Sequence, residues 1–153
     1  MKCADFKKSK IKDGYTLVEV CVVMVIICIL AAMAAPIYTK AIEQARLDSA
    51  AGNLKTIWSA QRAYWLKNHT FASSLVTLED EDLIGSSLVL TQSDPNAMYV
   101  YDIDSAGISS FTASAVRSGS GVWSGQIQID ELGELSGQIN KDDGFTLSPL
   151  TLE

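Results

Sequence analysis

The most regular feature of the chain is a long, uncharged apolar run near its beginning. No charged side chain occurs from Val20 to Thr39, and a helix needs about 20 apolar residues to span a bilayer. The run therefore predicts a membrane-spanning helix, which we place at residues 15–39. A single carboxylate, Glu19, stands at the head of this run. Because charge is costly in lipid, an acid at this position needs a specific reason.

Beyond Pro36 the apolar positions recur at spacings of three, four and seven. This spacing predicts an amphipathic helix over residues 40–67, whose apolar face needs a protein surface to cover it. Pro36 removes one backbone donor, so we expect a bend in the helix there. Lys67, Asn68 and His69 predict the end of the helix, with Asn68 in the left-handed conformation. The apolar face comprises Leu47, Ala50, Ala51, Leu54, Ile57, Trp58, Tyr64 and Trp65, and the polar positions include Glu43, Arg46, Lys55 and Arg62.

The remainder of the chain, residues 68–153, predicts a connector followed by a small sheet. We expect one short helix that starts at Thr77, and then an antiparallel meander of about four strands whose last residues form an edge strand or stay loose. The helix face described above is the surface available to cover this sheet. The predicted class is therefore α+β, with a long N-terminal helix packed on a small antiparallel sheet. The strand runs are residues 98–104, 109–117, 122–130 and 133–139.

Charge is distributed unevenly along the chain. Residues 1–14 carry five lysines and two aspartates, whereas the whole chain has a formal net charge of -6. The body is therefore strongly acidic, which argues against nucleic acid as a partner because phosphate binding depends on Lys and Arg. The three cysteines are Cys3, Cys21 and Cys28, so no disulfide is expected in the globular part. Cys21 and Cys28 are interpreted as apolar packing residues, although they could cross-link neighbouring copies.

The sequence contains no recognisable catalytic or metal-binding constellation. It lacks the G-x-S-x-G, H-E-x-x-H, P-loop and dinucleotide-binding motifs. His69, the only histidine, is interpreted as a turn residue because a general base needs partners. The acidic segments Glu79–Asp82 and Asp142–Asp143 lack the spacing of an EF-hand loop and are interpreted as solvated surface. We therefore expect no enzyme activity, no catalytic residue, no bound metal and no cofactor.

Residues 12–20, KDGYTLVEV, combine the end of a basic leader, a glycine, an aromatic residue and Thr-Leu-x-Glu at the start of the apolar run. This stretch resembles the prepilin processing motif of type IV pilins and type II secretion pseudopilins. Pro36 occupies the place of the helix-kinking proline of that family. The amphipathic segment is similar to the second half of the pilin helix, and the strand-rich remainder is more loosely similar to the pilin sheet. The resemblance implies a pilin-like fold in which residues 1–14 are a cleaved leader.

The resemblance also implies how the chain is processed and where it works. A membrane prepilin peptidase is expected to cut between Gly14 and Tyr15, after which the new amine of Tyr15 is N-methylated; the family more often has Phe at this position. The other implied partners are pilin-like subunits, an inner-membrane assembly platform and membrane lipid. The leader lysines are expected to stay in the cytoplasm and the C-terminal domain to lie in the periplasm or outside the cell. The chain would then be a single-pass protein of the bacterial inner membrane that is extracted into a filament.

Two roles are open for Glu19. Either it relieves its own helix terminus by pairing with the Tyr15 amine four residues earlier, or it pairs with the Tyr15 amine of a neighbouring subunit, as the resemblance implies. The second role makes the chain a structural subunit of a type IV pilus-like filament or of a type II secretion pseudopilus, and the sequence leaves that choice open. The alternative is a membrane-tethered or secreted ligand-binding module, with the apolar segment as a plain anchor or as a signal peptide cut after Ala34.

Overall fold

The structure is a computed structural model that describes residues 14–149. The expected leader, apart from Gly14, lies outside the described residues, as do the last four residues. The chain divides into two compact units, Met1–Lys40 and Ala41–Glu153. The described elements are α1 (Leu17–Asn68), α2 (Leu75–Asp80), α3 (Ser86–Leu90), β1 (Tyr99–Ala106), β2 (Phe111–Arg117), β3 (Trp123–Asp130), β4 (Leu135–Lys141) and β5 (Thr146–Leu147).

In the first unit, α1 exposes apolar side chains on all sides. Every residue from Gly14 to Thr39 is exposed, and the helix is long and apolar enough to cross a membrane. A helix that is apolar all round is stable in lipid or against other apolar surfaces. Pro36 lies inside the helix without ending it, and the hydroxyl of Thr39 donates to the Pro36 carbonyl at 3.0 Å. The bend expected at Pro36 stays a prediction.

In the second unit, the remainder of α1 packs on a five-stranded antiparallel sheet with the order β1-β2-β3-β4-β5. This architecture confirms the predicted α+β, pilin-like fold. The predicted meander of four strands is present, and the chain adds a fifth strand of two residues beside β4. The buried core between helix and sheet includes Leu47, Ala50, Leu54 and Ile57 from α1 and Tyr101, Ala113, Ile127 and Ile139 from the strands.

The observed helices differ from the predicted ones in several details. α1 begins at Leu17 instead of residue 15, and α3 was not predicted. The short helix α2 begins at Leu75 instead of Thr77, because Ser74 is its N-cap and accepts a hydrogen bond from the Thr77 amide at 3.2 Å. The long helix α1 ends at Asn68, but the left-handed residue is His69, with a φ of 55°. The residue after the helix therefore takes the conformation that was assigned to Asn68.

The face of α1 that packs on the sheet includes a carboxylate, Glu43, which was expected among the outward polar positions. Glu43 is only 2% exposed, and its Oε1 accepts a hydrogen bond from Nε of Arg117 at 2.5 Å. Its Oε2 accepts from Arg46 at 3.2 Å. The Arg117 guanidinium also lies over the ring of Tyr99, 5.5 Å from the ring centre. Because a buried charge is tolerated only with such partners, this cluster links α1 to the end of β2.

The hydroxyl of Tyr99, beside this cluster, is buried and has no hydrogen-bond partner within residues 14–149. We expect Tyr99→Phe to raise the free energy of unfolding by about 1 kcal/mol, because an unsatisfied buried hydroxyl carries a desolvation cost. The matched control is Tyr101→Phe. The Tyr101 hydroxyl accepts a hydrogen bond from Asn53 at 2.8 Å, so its removal should lower the free energy of unfolding by about 1 kcal/mol. Urea unfolding of the full chain in detergent, followed by tryptophan fluorescence, measures both. Equal destabilisation by the two changes would contradict this account.

The same tyrosine gives the stability of the second unit a dependence on alkaline pH. Burial raises the pKa of Tyr99, and the neighbouring Glu43 carboxylate raises it further. As the pH rises past about 10, tyrosine in the unfolded chain loses its proton first. The stability of the second unit is therefore unaffected by this titration below that pH and falls above it. The difference in free energy of unfolding between Tyr99→Phe and the wild type should therefore grow at alkaline pH. Part of the alkaline loss of stability should remain in Tyr99→Phe, because burial also raises the pKa of Tyr101.

The hairpin of β3 and β4 contains the tetrapeptide Ser-Gly-Gln-Ile twice, and each glycine lies opposite the isoleucine of the other copy. Gly125 and Gly137 have φ values of 132° and 97°. A Cβ placed on Gly125 would overlap the carbonyl oxygen of Gln138, and one on Gly137 would overlap that of Gln126. Both positions therefore require glycine for the two strands to pair.

Candidate functional site

The candidate site is the beginning of α1, residues 14–19. Gly14, Tyr15 and Thr16 precede the helix in non-helical conformation, and Tyr15 is 89% exposed. The helix begins at Leu17, so Glu19 lies in its first turn. The peptide bond between Gly14 and Tyr15 is therefore outside the helix, whereas the carboxylate that follows is part of it.

Thr16 and Glu19 satisfy each other at the helix start. The Thr16 hydroxyl oxygen accepts a hydrogen bond from the Glu19 amide at 3.3 Å. In return, Oε2 of Glu19 accepts from the Thr16 amide at 2.8 Å and from the Thr16 hydroxyl at 2.8 Å. These are the reciprocal bonds of a capping box, which satisfies two amides that a helix leaves free at its N-terminus. A carboxylate in the first turn is also favoured by the helix dipole.

This cap was not predicted, although the sequence contains its signal. Thr16 to Glu19 read Thr-x-x-Glu before an apolar run, which is the pattern of a capping box. Both roles considered for Glu19 involved the amine of Tyr15, whereas in the structure its carboxylate bonds to Thr16. The cap uses only Oε2. Among the described residues Oε1 accepts no hydrogen bond, so the carboxylate retains an oxygen for a second partner.

The structure brings Gly14, Tyr15 and Glu19 together, but not Pro36, which lies far along α1 near the end of its exposed apolar stretch. Cys21 and Cys28 are free and exposed on the same stretch. The roles predicted for Gly14 and Tyr15 in cleavage, for Tyr15 in methylation, for Glu19 in assembly and for Pro36 in bending stay predictions. The feature of this site that was not predicted is the cap formed by Thr16 and Glu19.

The other chemistry-bearing residues lie elsewhere and form local contacts. The His69 ring packs edge-on against Trp65, with 5.9 Å between ring centres. Glu81 forms an ion pair with Lys67, and Asp143 pairs with Lys141 at 2.6 Å. Within residues 14–149, no three His, Cys, Asp or Glu side chains are grouped closely enough to hold a metal ion.

A family model described as the prokaryotic N-terminal methylation motif matches residues 10–35. The matched residues include Gly14, Tyr15 and Glu19. This confirms the resemblance to the type IV pilin and pseudopilin family. In this pilin-like chain, most of the exposed apolar stretch of α1 lies within the motif, and Pro36 is the first residue after it.

The pilin-like chain is also similar to a curated relative, the type II secretion system core protein G of Pseudomonas aeruginosa. The two sequences are 38% identical over 68 residues, which is 44% of this chain and 48% of the relative. The matched region therefore spans about half the length of that relative.

Proposed function

We propose that the chain is a structural subunit of a type II secretion pseudopilus and not an enzyme. The observation that carries this proposal is Glu19, a carboxylate at the head of an exposed apolar helix and inside a methylation motif. A surface pilus-like filament would use the same helix and the same carboxylate. The similarity to a core protein of type II secretion favours the pseudopilus.

The proposed maturation starts at the beginning of α1. Prepilin peptidase cuts between Gly14 and Tyr15, and the amine of Tyr15 is then methylated. The bond lies in exposed, non-helical chain, which is the conformation most open to proteolysis. Loss of the leader removes five lysines and leaves one cationic amine close to Glu19. The product is anchored by α1 in the inner membrane, with the second unit on the outer side.

Glu19 then sets the register between subunits. A charged side chain in the apolar layer of a membrane costs about 2.5–3.5 kcal/mol or more, so this carboxylate gains by meeting a cation. While Oε2 is held by the cap, Oε1 accepts from the Tyr15 amine of the neighbouring subunit. Such a pair is weakly screened between apolar helices. Close packing of the helices is favoured by small residues, namely Ala31, Ala32, Ala34 and Ala35.

The variant that separates charge from capping is Glu19→Gln. A glutamine still accepts the Thr16 amide in a capping box, but it has no charge for the neighbour's amine. We expect the yield of filaments from cells that overproduce the chain to fall by about tenfold or more, the factor that corresponds to about 1.4 kcal/mol. Membrane insertion should not change. Intact mass of the purified chain establishes whether the variant still begins at Tyr15.

The matched control is Thr16→Ala, which removes the cap and keeps the charge. It should cost about 1 kcal/mol of helix stability and leave filaments largely intact. The reverse result, filaments lost in Thr16→Ala and kept in Glu19→Gln, would reduce Glu19 to a cap and overturn the pairing. Normal filaments in both variants would remove the proposed role of Glu19 in assembly. A wild-type chain that begins at Ala35 would be a secreted domain.

A further inference from the structure

The second unit contains a polar pocket that is separate from the start of α1. Its volume is about 350 Å³. The Arg117 side chain is 5% exposed, whereas that of Arg46 is 40% exposed. The pocket thus has one buried guanidinium and one that faces solvent. The residues that line it include Arg46, Asn96, Met98, Arg117, Ser118 and Ser120.

Two guanidinium groups at this pocket share one carboxylate. Glu43 pairs with both Arg117 and Arg46, and within the described chain no other carboxylate oxygen lies within 4.0 Å of either guanidinium. Asp94 is near the rim, where its Oδ1 accepts a hydrogen bond from the Asn96 amide at 2.8 Å. The cation at this pocket that an incoming carboxylate can reach is therefore Arg46, the more exposed of the two arginines.

The opposite end of the same unit is acidic. Lys67, in the last turn of α1, forms an ion pair with Glu81, which places the segment Glu79–Asp82 beside the end of that helix. Asp80 and Asp82 in this segment are exposed. At about 1.5 Å per helical residue, Arg46 and Lys67 are about 30 Å apart. A chain therefore cannot insert its own acidic segment into its own pocket.

The charge balance of the unit favours contact between these two ends of different copies. Residues 41–153 contain fifteen acidic and six basic residues, so copies repel each other over most of their surfaces. Contact is favourable where a cation of one copy meets acids of the next. Because pocket and acidic segment lie at opposite ends, the contact is head-to-tail, and such contacts repeat into a filament when the rotation does not close.

We propose that the pocket around Arg46 and Arg117 receives the Glu79–Asp82 segment of a second copy of this chain. The inference deepens the proposed function, on which it rests, by assigning a contact between globular units. Arg46 pairs with Asp80 or Asp82 of the second copy, while Arg117, held by Glu43, contributes positive charge at the floor of the pocket. Glu19 acts separately, between the apolar helices.

Cysteine cross-linking tests this contact, because the second unit has no cysteine of its own. In full chains with Cys3, Cys21 and Cys28 replaced by alanine, one copy carries Asn96→Cys and a differently tagged copy carries Asp80→Cys. Asn96 lies at the pocket, and this choice keeps both arginines. A disulfide needs Cα atoms within about 7 Å, so a mixed dimer on a non-reducing gel of filaments reports the contact directly. The control pairs Asp80→Cys with Thr56→Cys, an exposed position in the middle of the second half of α1.

A charge exchange then tests whether the arginine is the recognising group. Arg46→Glu in the copy that carries Asn96→Cys should lower the yield of mixed dimer by about tenfold, because it places like charges together. Asp82→Lys in the copy that carries Asp80→Cys should restore much of that yield. A yield that Arg46→Glu leaves unchanged overturns the assignment. Unchanged cross-linking, together with weaker binding of Arg46→Glu to phosphatidylglycerol vesicles, would assign the pocket to lipid phosphate instead.

Filament formation by the cysteine-free parent is scored independently by electron microscopy. Filaments with the Asn96–Asp80 cross-link and little Thr56–Asp80 cross-link support the inference. Filaments without the Asn96–Asp80 cross-link overturn the inference and leave the proposed function standing. Absence of filaments in the parent chain and in the wild type would overturn the proposed function and this contact with it.

Discussion

Replacing Glu43 with alanine is expected to lower the free energy of unfolding of the second unit by about 3–5 kcal/mol. The reason is that the change leaves the guanidinium of Arg117 buried without its carboxylate, and an uncompensated buried charge is among the costliest defects in a protein. All three tryptophans, Trp58, Trp65 and Trp123, lie in this unit. Urea unfolding of the full chain in detergent can therefore be followed by their fluorescence.

The control for this prediction removes both charges. Glu43→Met combined with Arg117→Met should be much less destabilising than Glu43→Ala, because a buried ion pair replaced by apolar residues of similar volume is often close to neutral. This pattern identifies the unpaired charge, and not the lost contact area, as the source of the loss. A loss below about 1 kcal/mol in Glu43→Ala would mean that water reaches Arg117 and that the pair is not buried.

Replacing Gly137 with alanine is expected to cost about 3 kcal/mol or more and to disrupt the pairing of β3 with β4. Two penalties add at this site: a φ of 97°, which side-chain-bearing residues rarely adopt, and an overlap between the new Cβ and the carbonyl oxygen of Gln126. Gly125→Ala meets the same two penalties against Gln138. Urea unfolding gives the magnitude, and amide hydrogen exchange in β4 shows whether the loss is local.

The same chemical change has the opposite expected sign at Gly52. This glycine lies in the second half of α1, and a Cβ there would meet no atom within 4 Å apart from its chain neighbours and the adjacent backbone of the helix. Gly52→Ala should therefore raise the free energy of unfolding by about 0.5–1 kcal/mol, the difference in helix propensity. Destabilisation by both substitutions alike would argue against the strained geometry assigned to the hairpin.

The features that could be predicted from the sequence are those set by neighbouring residues. Helical and strand periodicity depend on spacings of a few residues, so the apolar face of α1 and the four main strands could be predicted from the sequence. Leu47, Leu54 and Ile57 are all fully buried, as their spacing predicted. The start of α1 was predicted two residues too early, at residue 15 instead of Leu17, because the capping bonds within Thr16–Glu19 were overlooked.

The features that could not be predicted depend on partners far away in the chain. Glu43 reads as an outward charge until Arg117 is brought against it by the sheet. Gln61 reads as a polar surface residue, but it is fully buried because its amide bonds both the carbonyl and the amide of Ala72, each at 2.8 Å. Such residues interrupt the apolar pattern of the helix. The cost of burying their polar groups is offset only by hydrogen bonds that form in the folded unit.

The bonds between Thr16 and Glu19 involve no atom of residues 1–14. The helix start at Leu17 therefore does not depend on the proposed cleavage between Gly14 and Tyr15. The cap therefore fixes the N-terminal end of the helix, so that the bond between Gly14 and Tyr15 lies outside the helical hydrogen bonding. A substitution that let the helix extend back over Tyr15 would place this bond in hydrogen-bonded backbone, and the proposed cleavage would then slow without any change to Gly14 or Tyr15.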